Sequence, residues 1–193
     1  MKKSRVAPRK GQGAIFLDRD GVINASPSAQ KRYITSTDQF RFLPGVLPAL
    51  RALHAKNKKV VVLSNQAGVG RGWMSASDLQ AIHRDMRQRI RKAGGHLHAV
   101  YTCPHAPSAG CSCRKPKLGL FHRARRRFSI DPKQSFLIGD NVTDIQLGKR
   151  AGCTTLLVLT GRTTRKTARS MQPAPDRIEP SLQSAVRWVL KQS

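Results

Sequence analysis

Two carboxylates one residue apart follow the first apolar run of the chain. In the stretch AIFLDRDGVIN, Asp18 and Asp20 come directly after four apolar or small residues, in a chain that has only ten acidic residues. An Asp-Gly pair alone favours a solvated turn. A later apolar run also ends in acid, at Asp140, and Asp144 follows one helical turn further on. Carboxylates gathered at one edge repel one another, and oxygen ligands of this kind suit Mg²⁺.

A second cluster combines sulfur and nitrogen donors. Cys103, His105, Cys111 and Cys113 form two donor pairs, each one residue apart, with a five-residue loop between the pairs. Three thiolates and one imidazole can surround a tetrahedral zinc ion, although this spacing differs from the usual one of two intervening residues. Tight clustering without an export signal favours metal binding over disulfides, and a redox pair or plain surface thiols are the alternatives. Cys153 stands alone and is predicted to be a small buried residue.

Strand-like runs alternate with helix-like runs over most of the chain. The predicted strands are AIFLD, KVVVLSNQ, LHAVYTC, SFLIGD and TTLLVLTG, and the predicted helices lie in PGVLPALRALHAK, SASDLQAIHRDMRQRIRKAGG, LGLFHRARRRF, VTDIQLGKRAG and SLQSAVRWVLKQ. Residues 162–180 are interpreted as a basic, proline-containing connection. This alternation predicts an α/β fold with a doubly wound, mainly parallel, Rossmann-like sheet.

The predicted fold brings separate polar residues to one edge of the sheet. Ligands of open parallel sheets bind outside the carboxyl ends of the strands. Asp18 and Asp20 follow the first strand, and Asp140 follows the fourth. Ser64 and Asn65 close the second strand. We therefore expect all five side chains to converge.

Four motifs resemble those of the haloacid dehalogenase superfamily of phosphatases. They are FLDRDGVIN, VLSNQAGVGRG, CRKP and IGDNVTDIQLG, in this order, and the resemblance runs from about residue 14 to residue 161. Within the superfamily, the chain is similar to the group of heptose-bisphosphate and histidinol-phosphate phosphatases, which share a zinc loop at the Cys/His cluster. The resemblance implies a Mg²⁺-dependent phosphomonoester hydrolase. The segments 25–43 and 66–78 are too short for a cap domain, so a capless enzyme is expected.

The resemblance implies a role for each matching acidic residue. Asp18 would attack phosphorus and form an aspartyl-phosphate. Asp20 would protonate the leaving alkoxide and then activate water. Mg²⁺ would be held by Asp18, the backbone carbonyl of Asp20 and Asp140. Asp144 is expected to orient Lys115 of the CRKP motif or a metal-bound water. Arg19 is expected to point away from the site.

The same resemblance assigns the phosphate-binding residues. Ser64, Asn65 and Gln66 would bind the phosphate or the substrate, and Lys115 would neutralise developing negative charge. Arg114 would recognise the substrate. The Cys/His cluster would be a structural zinc site that positions Lys115 without touching the substrate. The favoured substrate is D-glycero-β-D-manno-heptose 1,7-bisphosphate, cleaved at the 7-phosphate, and histidinol phosphate is the alternative.

The charge of the chain is strongly positive. Lys and Arg number 36 against 10 Asp and Glu, which gives +26. Such a positive field attracts anions, so two alternatives are a polynucleotide-end phosphatase and a basic nucleic-acid-binding module. In either case the basic runs 123–127 and 162–169 would contact the phosphate backbone of the nucleic acid. A general excess of basic residues on the surface, with no anionic partner, explains the charge equally well. The scarcity of aromatic residues speaks against base stacking.

The chain is expected to consist of a basic N-terminal arm, residues 1–13, and one phosphatase domain, residues 14–193. No apolar stretch is long enough to span a bilayer. The basic N-terminus has no apolar segment behind it, so no secretory signal is predicted. We therefore expect a cytoplasmic monomer whose partner is a small phosphorylated metabolite.

Overall fold

A six-stranded parallel sheet forms the centre of the protein in a computed structural model, which describes residues 11–27 and 33–192. The strands are β1 (Ala14–Leu17), β2 (Lys59–Asn65), β3 (Ala99–Cys103), β4 (Phe136–Gly139), β5 (Thr154–Val158) and β6 (Arg177–Glu179). Their order is β3-β2-β1-β4-β5-β6, and every neighbouring pair is parallel. This is the order of a doubly wound sheet, in which β1 lies between β2 and β4.

Helices connect the strands and cover both faces of the sheet. They are α1 (Val46–Ala55), α2 (Ala76–Lys92), α3 (Gly119–Phe128), α4 (Val142–Ala151), α5 (Arg165–Arg169) and α6 (Leu182–Val189). Helix α2 begins with a capping box between Ser75 and Asp78. Its apolar residues recur at helical spacing, and their side chains are buried: Leu79, Ile82, Met86 and Ile90.

Alternate residues of the strands pack against different helix layers. Ile15 and Leu17 belong to the core cluster that includes residues of α1, α2 and α6. Ala14 and Phe16 belong to the cluster that includes residues of α3 and α4. A strand buried on both faces is a continuous apolar run rather than an alternating one, which is how β1 and β2 read in the sequence.

The segment 162–180 differs from its interpretation as a plain connection. It contains α5 and the edge strand β6, which pairs with β5 through Leu157 and Ile178. Asp176, the residue before β6, ties the start of this strand to β5. Its carboxylate accepts hydrogen bonds from Thr155 N (2.8 Å) and Thr155 Oγ1 (2.7 Å). The strand has only three residues and is stabilised by these distant partners. It is therefore too short to be predicted from a hydrophobic pattern in the sequence.

Among residues 11–27 and 33–192, no domain lies above the edge of the sheet at the carboxyl end of β1. In the described part of 25–43 the only helical turn is Thr37–Gln39, and residues 66–75 form turns. The capless architecture is thereby confirmed. Of the predicted N-terminal arm, residues 1–10 lie outside the described residues, and Gln12 forms a bridge with Ile130. Among the described helices, none combines the length and the apolar character that crossing a membrane requires.

Candidate active site

An open cleft lies at the carboxyl ends of β1, β2 and β4. Every predicted catalytic and phosphate-binding residue lines it except Gln66, which is buried beneath it. The lining residues are Asp18, Asp20, Ser26, Pro27, Tyr33, Ser64, Asn65, Arg114, Lys115, Asp140, Asn141, Thr143 and Arg162. Because β1 is the central strand, its loop meets the ends of both neighbours, and Asp18 N donates to Ile138 O of β4 (3.1 Å).

Lys115 links three parts of the chain at the base of the cleft. Its ammonium lies 2.9 Å from Asp18 Oδ1 and 2.7 Å from Asp144 Oδ1, and it donates to Leu63 O (2.8 Å). Burial alone would lower the pKa of Lys115, but the negative charges of Asp144 and Asp18 outweigh burial and raise it. The ammonium is therefore held in its charged form beside Asp18, and Asp144 orients it.

Asn65 holds the backbone of Lys115. Its Oδ1 accepts from Lys115 N (3.0 Å), and its Nδ2 donates to Lys115 O (3.2 Å). The prediction had placed Asn65 on the phosphate, and in this structure both polar atoms of its amide are engaged with the motif lysine. Ser64 Oγ accepts from Gln66 Nε2 (2.8 Å) and faces the cleft.

Three carboxylates come together beside Lys115. Oxygens of Asp18, Asp140 and Asp144 all lie within 4.8 Å of one another. Burial and the charge of Asp18 raise the pKa of Asp140 from 3.8 to about 6. The position of Asp140 is crowded, since Arg162 N donates to its Oδ2 (2.9 Å) and a Cβ at Gly161 would overlap the same oxygen.

The three carboxylates fit a magnesium ion, because a cation would relieve their mutual repulsion. Asp144 is the least suited of the three to be a ligand. Its Oδ1 is paired with Lys115, and its Oδ2 accepts from Asn141 N (3.3 Å) in the capping box of α4. Asp18 and Asp140 are thus the carboxylates best placed to hold a metal.

Asp20 is surrounded by donors on one side. It accepts hydrogen bonds from Arg19, Asn24 and Gln66. Burial alone would raise the pKa of Asp20, but the charge of Arg19 and these hydrogen bonds together lower it. The prediction for Arg19 needs correction in one respect: its side chain does not line the cleft, but it contacts Asp20 directly. The sequence offered no signal for Asn24.

The Cys/His cluster closes into a compact set of four donors. Cys103 Sγ lies 3.5 Å from Cys111 Sγ, which lies 3.6 Å from Cys113 Sγ. His105 Nδ1 lies 3.2 Å from Cys113 Sγ and 3.7 Å from Cys103 Sγ. A tetrahedron with zinc–sulfur bonds of about 2.3 Å has edges of about 3.8 Å, so the four atoms fit such an ion closely. All four cysteines of the chain are free, and Cys153 is buried as predicted.

The donor cluster is joined to the cleft by its last ligand. Cys113 is followed directly by Arg114 and Lys115, and Gly119 N, at the start of α3, donates to Ser112 O (3.2 Å). Arg114 lines the cleft, and its Nη1 is buried without a hydrogen-bond partner among the described residues. An unpaired buried guanidinium nitrogen is costly in a folded protein and suits a position that an anionic ligand completes.

Comparisons with known proteins agree with this geometry. The HAD-hydrolase-like family model matches residues 112–185. The D-glycero-beta-D-manno-heptose-1,7-bisphosphate 7-phosphatase of Bordetella bronchiseptica is 35% identical over 93% of this chain and 98% of that protein. The D-glycero-alpha-D-manno-heptose-1,7-bisphosphate 7-phosphatase of Campylobacter jejuni is 37% identical over 76% of this chain and 81% of that protein.

A solved structure is also similar over almost the whole chain. The D,D-heptose 1,7-bisphosphate phosphatase of Bordetella bronchiseptica, crystallised with magnesium and phosphate, superimposes with a TM-score of 0.84 at 33% identity. The match covers 94% of this chain and 100% of that one. With the sheet order, the cleft and the sequence identity in agreement, the chain belongs to the haloacid dehalogenase-like phosphatases, in the group that contains the heptose-1,7-bisphosphate 7-phosphatases.

Proposed function

We propose that the protein removes the 7-phosphate of D-glycero-β-D-manno-heptose 1,7-bisphosphate through an aspartyl-phosphate on Asp18. The observation that carries the proposal is the cleft itself, in which Asp18 is paired with the Lys115 ammonium at 2.9 Å while Asp20 lines the same cleft. Relatives with this activity are known for both the β and the α anomer, and the β relative covers more of the chain. The β anomer is therefore the proposed substrate.

The proposed reaction has two steps with balanced proton transfers. The cycle begins with Asp20 protonated, a form that the negative charge of the bound bisphosphate favours. In the first step, a carboxylate oxygen of Asp18 bonds to phosphorus, the bond from phosphorus to the sugar oxygen breaks, and Asp20 gives that oxygen its proton. In the second, water gives a proton to Asp20 and its oxygen bonds to phosphorus, which releases phosphate and regenerates Asp18. Lys115 offsets negative charge near phosphorus in both steps.

Two metals are part of the proposal. Asp18, Asp140 and the backbone carbonyl of Asp20 would hold Mg²⁺, which when bound offsets the repulsion between the attacking carboxylate and the phosphate. The proposal is supported by the magnesium and phosphate in the Bordetella bronchiseptica structure. Zn²⁺ would bind the cluster of Cys103, His105, Cys111 and Cys113 and fix the loop that leads to Lys115.

A bisphosphate suits the charge of the cleft. Arg114 and Arg162 both line it, and Arg114 Nη1 lacks a partner among the described residues. A second phosphate near these guanidinium groups would provide the missing acceptor, because arginine binds phosphate oxygens well. The absence of a cap over the described part of the cleft leaves room for a sugar substrate.

The test compares four kinds of substrate with purified protein. Phosphate release is measured from the β and α heptose bisphosphates, histidinol phosphate and an end-phosphorylated oligonucleotide, each with and without Mg²⁺. The expected result is the highest kcat/KM for the β heptose bisphosphate, with loss of activity in Asp18→Asn. Faster release from histidinol phosphate or from the oligonucleotide would overturn the substrate assignment.

The basic nucleic-acid-binding alternative is tested in the same experiment. Retention on an oligonucleotide at about physiological salt, unchanged by Asp18→Asn and without phosphate release, would support a binding module instead. The cytoplasmic location and the monomeric state stay predictions from the sequence.

A further inference from the structure

Arg19 is a fully buried arginine between the two aspartates of the first motif. Its guanidinium forms a fork on Asp20: Nη2 donates to Oδ1 (2.9 Å) and Oδ2 (3.1 Å), and Nε donates to Oδ1 (3.1 Å). A planar fork of this kind fixes the plane of a carboxylate as well as its charge, which a lysine cannot do. Nothing in the proposed reaction accounts for a buried cation at this position.

His83, on α2, holds the other end of the guanidinium. Its Nε2 lies 3.3 Å from Arg19 Nη1. The guanidinium can only donate, so Nε2 accepts and the imidazole is neutral with its proton on Nδ1. Burial and the charge of Arg19 lower the pKa of His83 to about 3, which agrees with a neutral ring. His83 is 64 residues away from Arg19 in the sequence, and the helix packing brings the two together.

Two amides complete the support of Asp20. Asn24 Nδ2 donates to Oδ1 (2.8 Å), and Gln66 Nε2 donates to Oδ2 (2.8 Å). The Asp20 side chain nevertheless keeps 22% of its surface exposed, and it lines the cleft. The carboxylate is thus fixed from behind and accessible from the front, which is the arrangement that directional proton transfer to a bound substrate requires.

We propose that Arg19 and His83 are positioning residues that aim the Asp20 carboxyl group at the leaving oxygen, with His83 acting through Arg19. This inference rests on the proposed phosphatase function. It has a specific consequence, because proton donation matters for a basic leaving group such as an alkoxide and matters little for p-nitrophenolate, which leaves without a proton. Disturbing the pair therefore slows the first step according to the basicity of the leaving group.

The experiment measures kcat and KM on the heptose bisphosphate and on p-nitrophenyl phosphate. General acid catalysis contributes about 10²–10⁴-fold, and a misdirected acid loses part of that factor. For His83→Leu we expect kcat/KM, which reports only the steps up to departure of the leaving group, to fall about 10- to 100-fold on the sugar phosphate and less than about 3-fold on p-nitrophenyl phosphate. The value of kcat is compared separately, because hydrolysis of the aspartyl-phosphate uses Asp20 as the base with either substrate. His83→Gln retains an acceptor oxygen near the position of Nε2, so it is expected to restore most of the sugar-phosphate rate.

Three further variants serve as controls. Asp20→Asn sets the largest leaving-group dependence that loss of the acid can produce. Arg19→Lys keeps the charge without the fork, so it is expected to show the same selective loss even if His83→Leu does not fold. His122→Leu, on the exposed surface of α3, is expected to leave both rates and the melting temperature unchanged.

Equal losses of kcat/KM on both substrates, or no loss of kcat/KM on the sugar phosphate, would overturn the inference. A crystal structure of His83→Leu tests the inference independently of the proposed function, because the position of Asp20 can be seen whether or not the protein is active. We expect the Asp20 carboxylate to rotate away from its wild-type position, and an unchanged fork in that structure would also overturn the inference. If wild-type protein releases no phosphate from either substrate, the proposed function fails and the structural comparison alone decides.

Discussion

Asp140→Asn is expected to stabilise the metal-free protein at neutral pH while it abolishes activity. Asp140 is buried beside Asp18, and its pKa is raised from 3.8 to about 6. A raised carboxyl pKa means that the folded state binds more protons than the unfolded state between these two values. The free energy of unfolding therefore falls as the pH rises from about 4 to about 6, and it stays at the lower value above pH 6. The total loss is roughly 3 kcal/mol, since one pKa unit corresponds to about 1.4 kcal/mol. Asparagine keeps an oxygen for Arg162 N and carries no charge.

The assay is urea unfolding of wild type and Asp140→Asn at several pH values between 4 and 8. The buffer contains no Mg²⁺ and no chelator, so that any zinc is retained. We expect the free energy of unfolding to fall more steeply with pH in the wild type than in the variant, in which Asp144, whose pKa is also raised by burial to about 7, still contributes. Added Mg²⁺ is expected to recover stability in the wild type, because a ligand that binds the folded state stabilises it, and to have little effect on the variant.

Two results would refute this reasoning. If the free energies of unfolding of wild type and variant changed in parallel across this pH range, the buried charge of Asp140 would not be what destabilises the protein. A variant that gains stability from Mg²⁺ as the wild type does would mean that Asp140 is not a metal ligand. A constant m-value in both proteins is the control for a change in the unfolded state.

Three other predictions test different parts of the structure. Lys115→Met is expected to lower kcat about 10²–10³-fold in a phosphate-release assay, as loss of a charge-stabilising donor does, and a smaller loss would remove Lys115 from the reaction. A zinc chelator is expected to lower both the melting temperature and the activity, with no recovery on adding Mg²⁺, and Cys113→Ser is expected to behave like the chelated protein; full activity without zinc in elemental analysis would contradict a structural metal. Ser75→Ala removes the cap of α2 and is expected to cost about 1 kcal/mol in urea unfolding without changing kcat, so a catalytic defect would argue against a purely local role.

Much of the fold and of the site follows from local patterns. The apolar runs and the helical stripe of α2 predict the alternating elements, and five of the six strands are found where the runs are. The parallel sheet then requires that polar residues at the carboxyl ends of β1, β2 and β4 meet, as Asp18, Ser64 and Asp140 do. The spacing of the Cys/His donors likewise predicts a closed cluster, because a short loop between two donor pairs can bring them together.

Other features are decided by residues far apart in the sequence. Strand β6 forms because it pairs with β5 and because Asp176, the residue before it, is hydrogen-bonded to Thr155 of β5, whereas its own three residues show no hydrophobic period. Asn65 binds the backbone of Lys115, 50 residues away, and Arg19 turns into the protein because His83 accepts from it there. The residue types and their local spacing determined which elements form and which chemistry is available. Only the tertiary structure decided where each polar side chain is directed, because a buried donor or acceptor takes the partner that packing brings within reach, and that partner cannot be read from its neighbours in the chain.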